Sequence, residues 1–111
     1  MIKDRLHEVE LAIEEARARR TLVSQDEPVR LIAVTKNHGV EEMREAIDAG
    51  AADIGENRIQ EAAGKQDTLQ RDVTWHLIGH LQTNKARQAV QYFDLIHSVD
   101  SEHLARAIDK E

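Results

Sequence analysis

Lys36 closes a short apolar run, Leu31-Ile32-Ala33-Val34-Thr35, and Asn37-His38-Gly39 follows it at once. An apolar segment rich in β-branched residues and bounded by polar and Gly residues reads as a buried strand. A lysine at the carboxyl end of such a strand keeps its aliphatic stem in the core and brings its amine to the rim. In α/β folds that rim is where ligands bind. An amine held there and partly desolvated can attack a carbonyl and form a Schiff base. The alternative is a lysine that only snorkels to solvent.

Two further strand ends carry polar groups. Gly55-Glu56-Asn57-Arg58 follows an apolar segment; Gly55 permits a sharp turn, after which Asn57 either faces the rim or caps the next helix. In Trp75-His76-Leu77-Ile78, alternation puts Trp75 and Leu77 on one face and His76 and Ile78 on the other. His76 is then either a ligand-orienting group just below the rim or a hydrogen-bonded core histidine. In the loop Gly79-His80-Leu81-Gln82-Thr83-Asn84-Lys85, the side chains of Gln82, Asn84 and Lys85 can meet an anion near a helix start. A solvated loop with Thr83 or Asn84 as N-cap accounts for the same residues.

Other chemistries have no support. Neither GxGxxG nor GxxxxGK[ST] occurs, so dinucleotide and P-loop sites are not indicated. His76 and His80 lie four apart on a strand and loop without the Glu of a helical zinc motif, so no metal site is expected. The other histidines, His97 and His103 among them, read as surface or packed residues. The chain has no cysteine, which excludes disulfides, thiol nucleophiles and thiolate metal sites.

The elements that position these residues follow from periodicity. Ile2, Leu6, Val9, Ile13 and Ala16 recur at spacings of four and three, the stripe of a helix, with Glu15 and Arg19 able to pair on it. Ser24-Gln25-Asp26-Glu27-Pro28 breaks the pattern before the first strand. Val40, Met43, Ala46 and Ile47 mark a second helix with Glu41 and Glu42 in its first turn and Gly50 at its C-cap. A weak strand over residues 51–55, a helix from Ile59 to Leu69, a strand over residues 73–79 and a helix over residues 84–91 follow. Residues 93–99 form a fourth strand, and Asp100 or Ser101 caps a last helix carrying Leu104, Ala107 and Ile108. A leading helix and four strand–helix units imply parallel pairing with right-handed crossovers. An open doubly wound sheet and part of a (β/α)8 barrel both fit; a whole barrel takes about 250 residues.

The 111 residues suit one domain, with 41% hydrophobic and 32% charged residues, as in a soluble globular protein. Aromatics make up 3%, so the core must be aliphatic. A formal net charge of -6 argues against a protein whose main task is binding nucleic-acid backbone. No signal-peptide stretch or bilayer-spanning run is visible, and a cytoplasmic location is expected.

Taken in order, Ala33-Val34-Thr35-Lys36, Gly55-Glu56-Asn57-Arg58-Ile59-Gln60-Glu61, Trp75 through Lys85, and Phe93-Asp94-Leu95-Ile96-His97-Ser98-Val99-Asp100-Ser101 closely resemble the pyridoxal phosphate homeostasis proteins, the YggS/PROSC family. The resemblance covers essentially the whole chain, and the segment from Trp75 to Lys85 is its most specific part. It implies a single barrel similar to the amino-terminal domain of alanine racemase, in the (β/α)8-barrel class, with this chain as its amino-terminal half. It also implies pyridoxal 5′-phosphate as cofactor, bound through Lys36, with Asn57 and His76 lining its pocket, and a carrier or buffer rather than an enzyme. The cofactor brings the electron-sink chemistry; the protein contributes imine formation and placement.

Thr35 stands where the family usually has Ser, and Asn37-His38-Gly39 where it often has a proline. Family members are about twice as long, and the loops that hold the cofactor phosphate belong to their carboxyl half. Four parallel strands leave open edges and an apolar inner face, so self-association is expected. An amino-acid racemase or decarboxylase and a small α/β interaction domain without cofactor are the competing functions.

Overall fold

The structure is a computed structural model that describes residues 1–21, 23–24 and 26–111. Its elements are α1 (Ile2–Arg19), β1 (Ala33–Val34), α2 (Val40–Asp48), β2 (Asp53–Glu56), α3 (Ile59–Leu69), β3 (Thr74–Leu77), a 3-10 turn (Thr83–Lys85), α4 (Ala86–Tyr92), β4 (Leu95–Ile96) and α5 (Glu102–Lys110). The strands form one parallel sheet in the order β1-β2-β3-β4. Each strand–helix unit therefore advances the sheet by one place in the same direction. A doubly wound sheet reverses direction at a switch point; here there is no reversal, and successive helices from α1 to α5 pack against one another. Between the two architectures open to the sequence, this is the winding of a barrel.

Register defines two faces. Ala33, Ile54 and Trp75 form one row, and Glu56, Leu77 and Ile96 another on the same side. This side meets the helices, where Ile54, Trp75 and Leu77 join Met43, Ala62, Leu69, Leu81, Ala89, Phe93 and Leu104 in the core. Met43, Ile54, Leu77 and Leu104 are almost completely buried, and each such side chain stabilises the fold by about 1.5–3 kcal/mol. The opposite, inner face carries the row Val34, Gly55, His76 and Leu95. Its two edge members, Val34 and Leu95, are 48% and 41% exposed.

Some boundaries differ from those expected. The first strand keeps only two of its five expected residues and the fourth only two of seven, because each pairs on one side alone. At β4 the Asp94 carboxylate also accepts the Trp75 N–H at 2.8 Å, replacing a backbone acceptor where the ladder would begin. The second strand, expected to be weak, is wholly buried because it lies between β1 and β3. On α1 the stripe is incomplete: Ile2, Leu6 and Ile13 are half-buried, but Val9 and Ala16 are exposed. Its ion pair is Glu14–Arg17, at 2.6 Å, in place of Glu15–Arg19. The polar break before β1 includes Gln25, which lies outside the described residues.

Caps were partly legible. Gly50 ends α2 with φ 117° and donates its N–H to the Ile47 carbonyl at 2.9 Å. Ser101 caps α5, its Oγ accepting the Leu104 N–H at 3.1 Å. Thr83 and Asn84 do not cap; both enter the 3-10 turn, whose preceding residue, Gln82, makes no side-chain cap bond.

Two glycines give a test with opposite signs. A Cβ on Gly79 would lie 2.3 Å from the Asn57 carbonyl oxygen and 2.8 Å from its Cα, while one on Gly64 meets nothing within 4 Å. Gly79→Ala must push the β2–α3 loop away and is expected to cost roughly 1–3 kcal/mol. Gly64→Ala, inside α3, is expected to stabilise by about 0.5–1 kcal/mol. Thermal unfolding of the two variants against the parent checks both signs.

Candidate functional site

Parallel strands bring all four carboxyl ends to one edge of the sheet. The ladder continues one residue past the strands, through Thr35 N–H to Gly55 O at 3.0 Å, Ile78 N–H to Glu56 O at 3.0 Å and His97 N–H to Leu77 O at 2.9 Å. Thr35, like Glu56, is buried on the helix side. Lys36 comes next in the alternation, and the register continued upward sets it level with Asn57. Its side chain is exposed, and it makes no hydrogen bond or ion pair among the described residues.

Asn57 is half-buried. It does not cap α3: Arg58 occupies the N-cap and no side-chain cap bond forms. It lines a groove of about 760 Å³ between the loops after β2 and β3, together with His80, Gln82, Lys85 and Tyr92. The structure thus gathers Asn57 with the loop residues Gln82 and Lys85. Lys36 and His76 lie outside that groove.

His76 is 1% exposed and uses both ring nitrogens. Nε2 lies 2.8 Å from Asp53 Oδ1, and Nδ1 lies 2.9 Å from His97 Nε2. A carboxylate only accepts, so Nε2 carries a hydrogen; in neutral His76, Nδ1 then accepts from the His97 Nε2–H. Asp53 is also 3.4 Å from Arg30 Nε. A polar chain Arg30–Asp53–His76–His97 therefore crosses the sheet, and its accessible imidazole is the exposed His97. Sequence reasoning left His97 among ordinary histidines. Its strand parity with Leu95, opposite His76, was the signal that could have found it.

A second cluster stands behind the sheet and was missed altogether. Lys65 Nζ donates to Glu56 Oε1 at 3.1 Å and Oε2 at 3.0 Å, and to the Thr35 carbonyl at 2.8 Å. It also pairs with Glu61 Oε1 at 3.0 Å. The Thr35 hydroxyl donates to the Glu56 carboxylate. Glu61 Oε1 in turn accepts the Asn37 N–H at 2.9 Å. That bond, then the Lys65 contact, hold the Glu61 carboxyl below the usual carboxylate range. Glu56 has no exposed surface and the Lys65 side chain only 10%, so this is a buried ion pair; removing one partner of such a pair costs about 3–5 kcal/mol.

Among the described residues no group of three or more His, Cys, Asp or Glu side chains is placed to hold a metal ion. No described helix is long and apolar enough to cross a membrane.

Comparison with known proteins places this geometry. Residues 12–111 match the family model for the alanine racemase N-terminal domain. A pyridoxal phosphate homeostasis protein of Synechocystis is 46% identical over 84 residues, which are 74% of this chain and 38% of that protein. A protein of the same name from Pseudomonas aeruginosa is 42% identical over 75% of this chain and 36% of its own length. PipY of Synechococcus elongatus, solved with pyridoxal phosphate bound, superposes with a TM-score of 0.78 at 46% identity, over 99% of this chain and 47% of PipY. A protein from Bifidobacterium adolescentis superposes with a TM-score of 0.80 at 37% identity, over 98% of this chain and 48% of its own. The chain spans less than half the length of these relatives. With four parallel strands wound in barrel order behind a leading helix, and a matching model over residues 12–111, the chain belongs to the alanine racemase N-terminal domain family.

Proposed function

We propose that this chain is the amino-terminal half of a pyridoxal 5′-phosphate-binding β/α barrel, and that it holds the cofactor through a Schiff base on Lys36. The observation that carries the reading is the state of the Lys36 amine. It stands exposed at the carboxyl edge of the sheet with no partner among the described residues, while the residues on either side of it are hydrogen-bonded in place. An aldehyde-bearing ligand fits that donor set: the free primary amine takes the carbonyl carbon, and water leaves. When bound, the cofactor supplies an electron sink.

Asn57, level with Lys36 on the neighbouring strand end, is the polar group beside it, and His97 stands at the far edge of the sheet beyond β4. His76, with both nitrogens engaged, contributes by fixing the ring of His97 and by packing. Its place in the pocket is therefore a supporting one. The names of the relatives favour cofactor homeostasis over catalysis.

Incubation with pyridoxal phosphate, reduction with borohydride and mass mapping test the reading. The expected result is a pyridoxyl adduct on Lys36 well above those on Lys3, Lys85 and Lys110, lost in Lys36→Ala. Labelling spread evenly over the exposed lysines would sink it. A racemisation assay with L-alanine is expected to show no turnover; measurable racemisation would make the chain part of an enzyme.

We also propose that the isolated chain self-associates, a second copy covering the inner face between Val34 and Leu95. Light scattering at micromolar concentration should give a mass above 12.6 kDa. A monomer that binds no exposed-hydrophobe dye contradicts this.

A further inference from the structure

The Glu56–Lys65–Glu61 cluster touches neither Lys36 nor the inner face. Its hydrogen bonds nevertheless end on the two residues that flank Lys36. The Thr35 carbonyl takes one from Lys65 at 2.8 Å, and the Asn37 N–H gives one to Glu61 at 2.9 Å. The Thr35 hydroxyl is tied to Glu56 as well. Asn37 is in the left-handed region, φ 64°, which Asn tolerates better than most residues but still at some cost. The Glu61 acceptor is what keeps its amide aimed outward. The three side chains come from β2 and α3, the clamped segment from β1 and its loop.

We infer that Lys65, together with Glu61, is a positioning residue for Lys36, fixing the backbone on both sides of the amine from the face opposite to the ligand. This rests on the imine role proposed for Lys36 and adds how that amine is aimed. A lysine stem has many rotamers; only a fixed Cα makes its reach reproducible, and a displacement of about 1 Å at a reacting group can cost on the order of a hundredfold in rate. Glu61 senses pH as part of the clamp. The groups facing it are the Asn37 amide from the β1–α2 loop, Lys65 on α3 and Arg58 at its start. Because its carboxyl is held below the ordinary range, the clamp is present above the unfolded carboxylate value. It is lost as pH falls through the lowered folded value.

Three variants separate this from a structural role. Glu61 is 27% exposed, so Glu61→Ala and Glu61→Gln should both fold; Lys65→Met, where it folds, is expected to lose Lys36 labelling as Glu61→Ala does, and unchanged labelling removes Lys65 from the inference. Glu61→Ala is expected to speed hydrogen exchange of the Asn37 amide by about tenfold or more, and to lower borohydride-trapped pyridoxyl on Lys36 by roughly tenfold at equal thermal midpoint. Glu61→Gln keeps an oxygen for the Asn37 N–H and should retain most of both, without the acid step in Asn37 protection that the parent shows. Unchanged exchange and unchanged Lys36 labelling in Glu61→Ala overturn the inference. If the parent itself does not label at Lys36, the imine reading fails; the Asn37 exchange comparison still decides whether the clamp fixes this backbone.

Discussion

Glu56 lies at the carboxyl end of the central strand β2 with no exposed surface, a position where an isolated carboxylate would be severely destabilising. Lys65 reaches it from α3, and the Thr35 hydroxyl from the end of β1. That constraint organises the whole rim. To satisfy Glu56, α3 must enter at the depth that brings Lys65 onto β2, and β1 must end where Thr35 can face inward to the helices. Once Lys65 is there, its remaining hydrogens need acceptors, which the Thr35 carbonyl and Glu61 provide. The loop after β1 is closed by the same donors and acceptors.

The sheet thereby separates two kinds of polar chemistry. On the helix side Glu56, Lys65 and Glu61 are paired with one another. On the inner face the chain from Arg30 through Asp53 and His76 ends at an exposed imidazole. Period-two alternation makes this separation possible: one residue's step along a strand turns a locked group into an open one. Thr35 and Lys36 are neighbours in sequence, yet one is buried in the clamp and the other is exposed, with no partner among the described residues.

What the sequence disclosed follows the same division. Lys36, Asn57 and the strand ends were legible because apolar runs and glycines mark the edge of a parallel sheet. The order of the elements was legible for the same reason, though only the pairing of β1 through β4 in sequence decided for a barrel. The clamp was not found because Glu61 and Lys65, four apart on a helix, look like an ordinary solvent-exposed pair. A clue was available: Ala62, Lys65 and Leu69 share the buried stripe of α3, and a lysine in such a stripe demands a buried carboxylate. His97 escaped notice because its partner is fixed by register between β3 and β4, which is a tertiary fact. The strand lengths were overestimated where hydrophobicity continues beyond the ladder, as in Leu31 and Ile32.

Geometry is also what distinguishes Lys36 from the other lysines. Lys3 and Lys110 project from helices, and Lys85 from the 3-10 turn after β3, where it lines the groove beside Asn57; all three are exposed. Lys65 reaches the rim but is consumed by two carboxylates and a carbonyl. Lys36 has no partner among the described residues and directly follows the carboxyl end of a strand's ladder. The two lysines meet at Thr35, whose carbonyl takes a hydrogen bond from Lys65 and whose chain neighbour is Lys36. Under the proposed imine role for Lys36, the buried Lys65 would fix the backbone on which that amine stands.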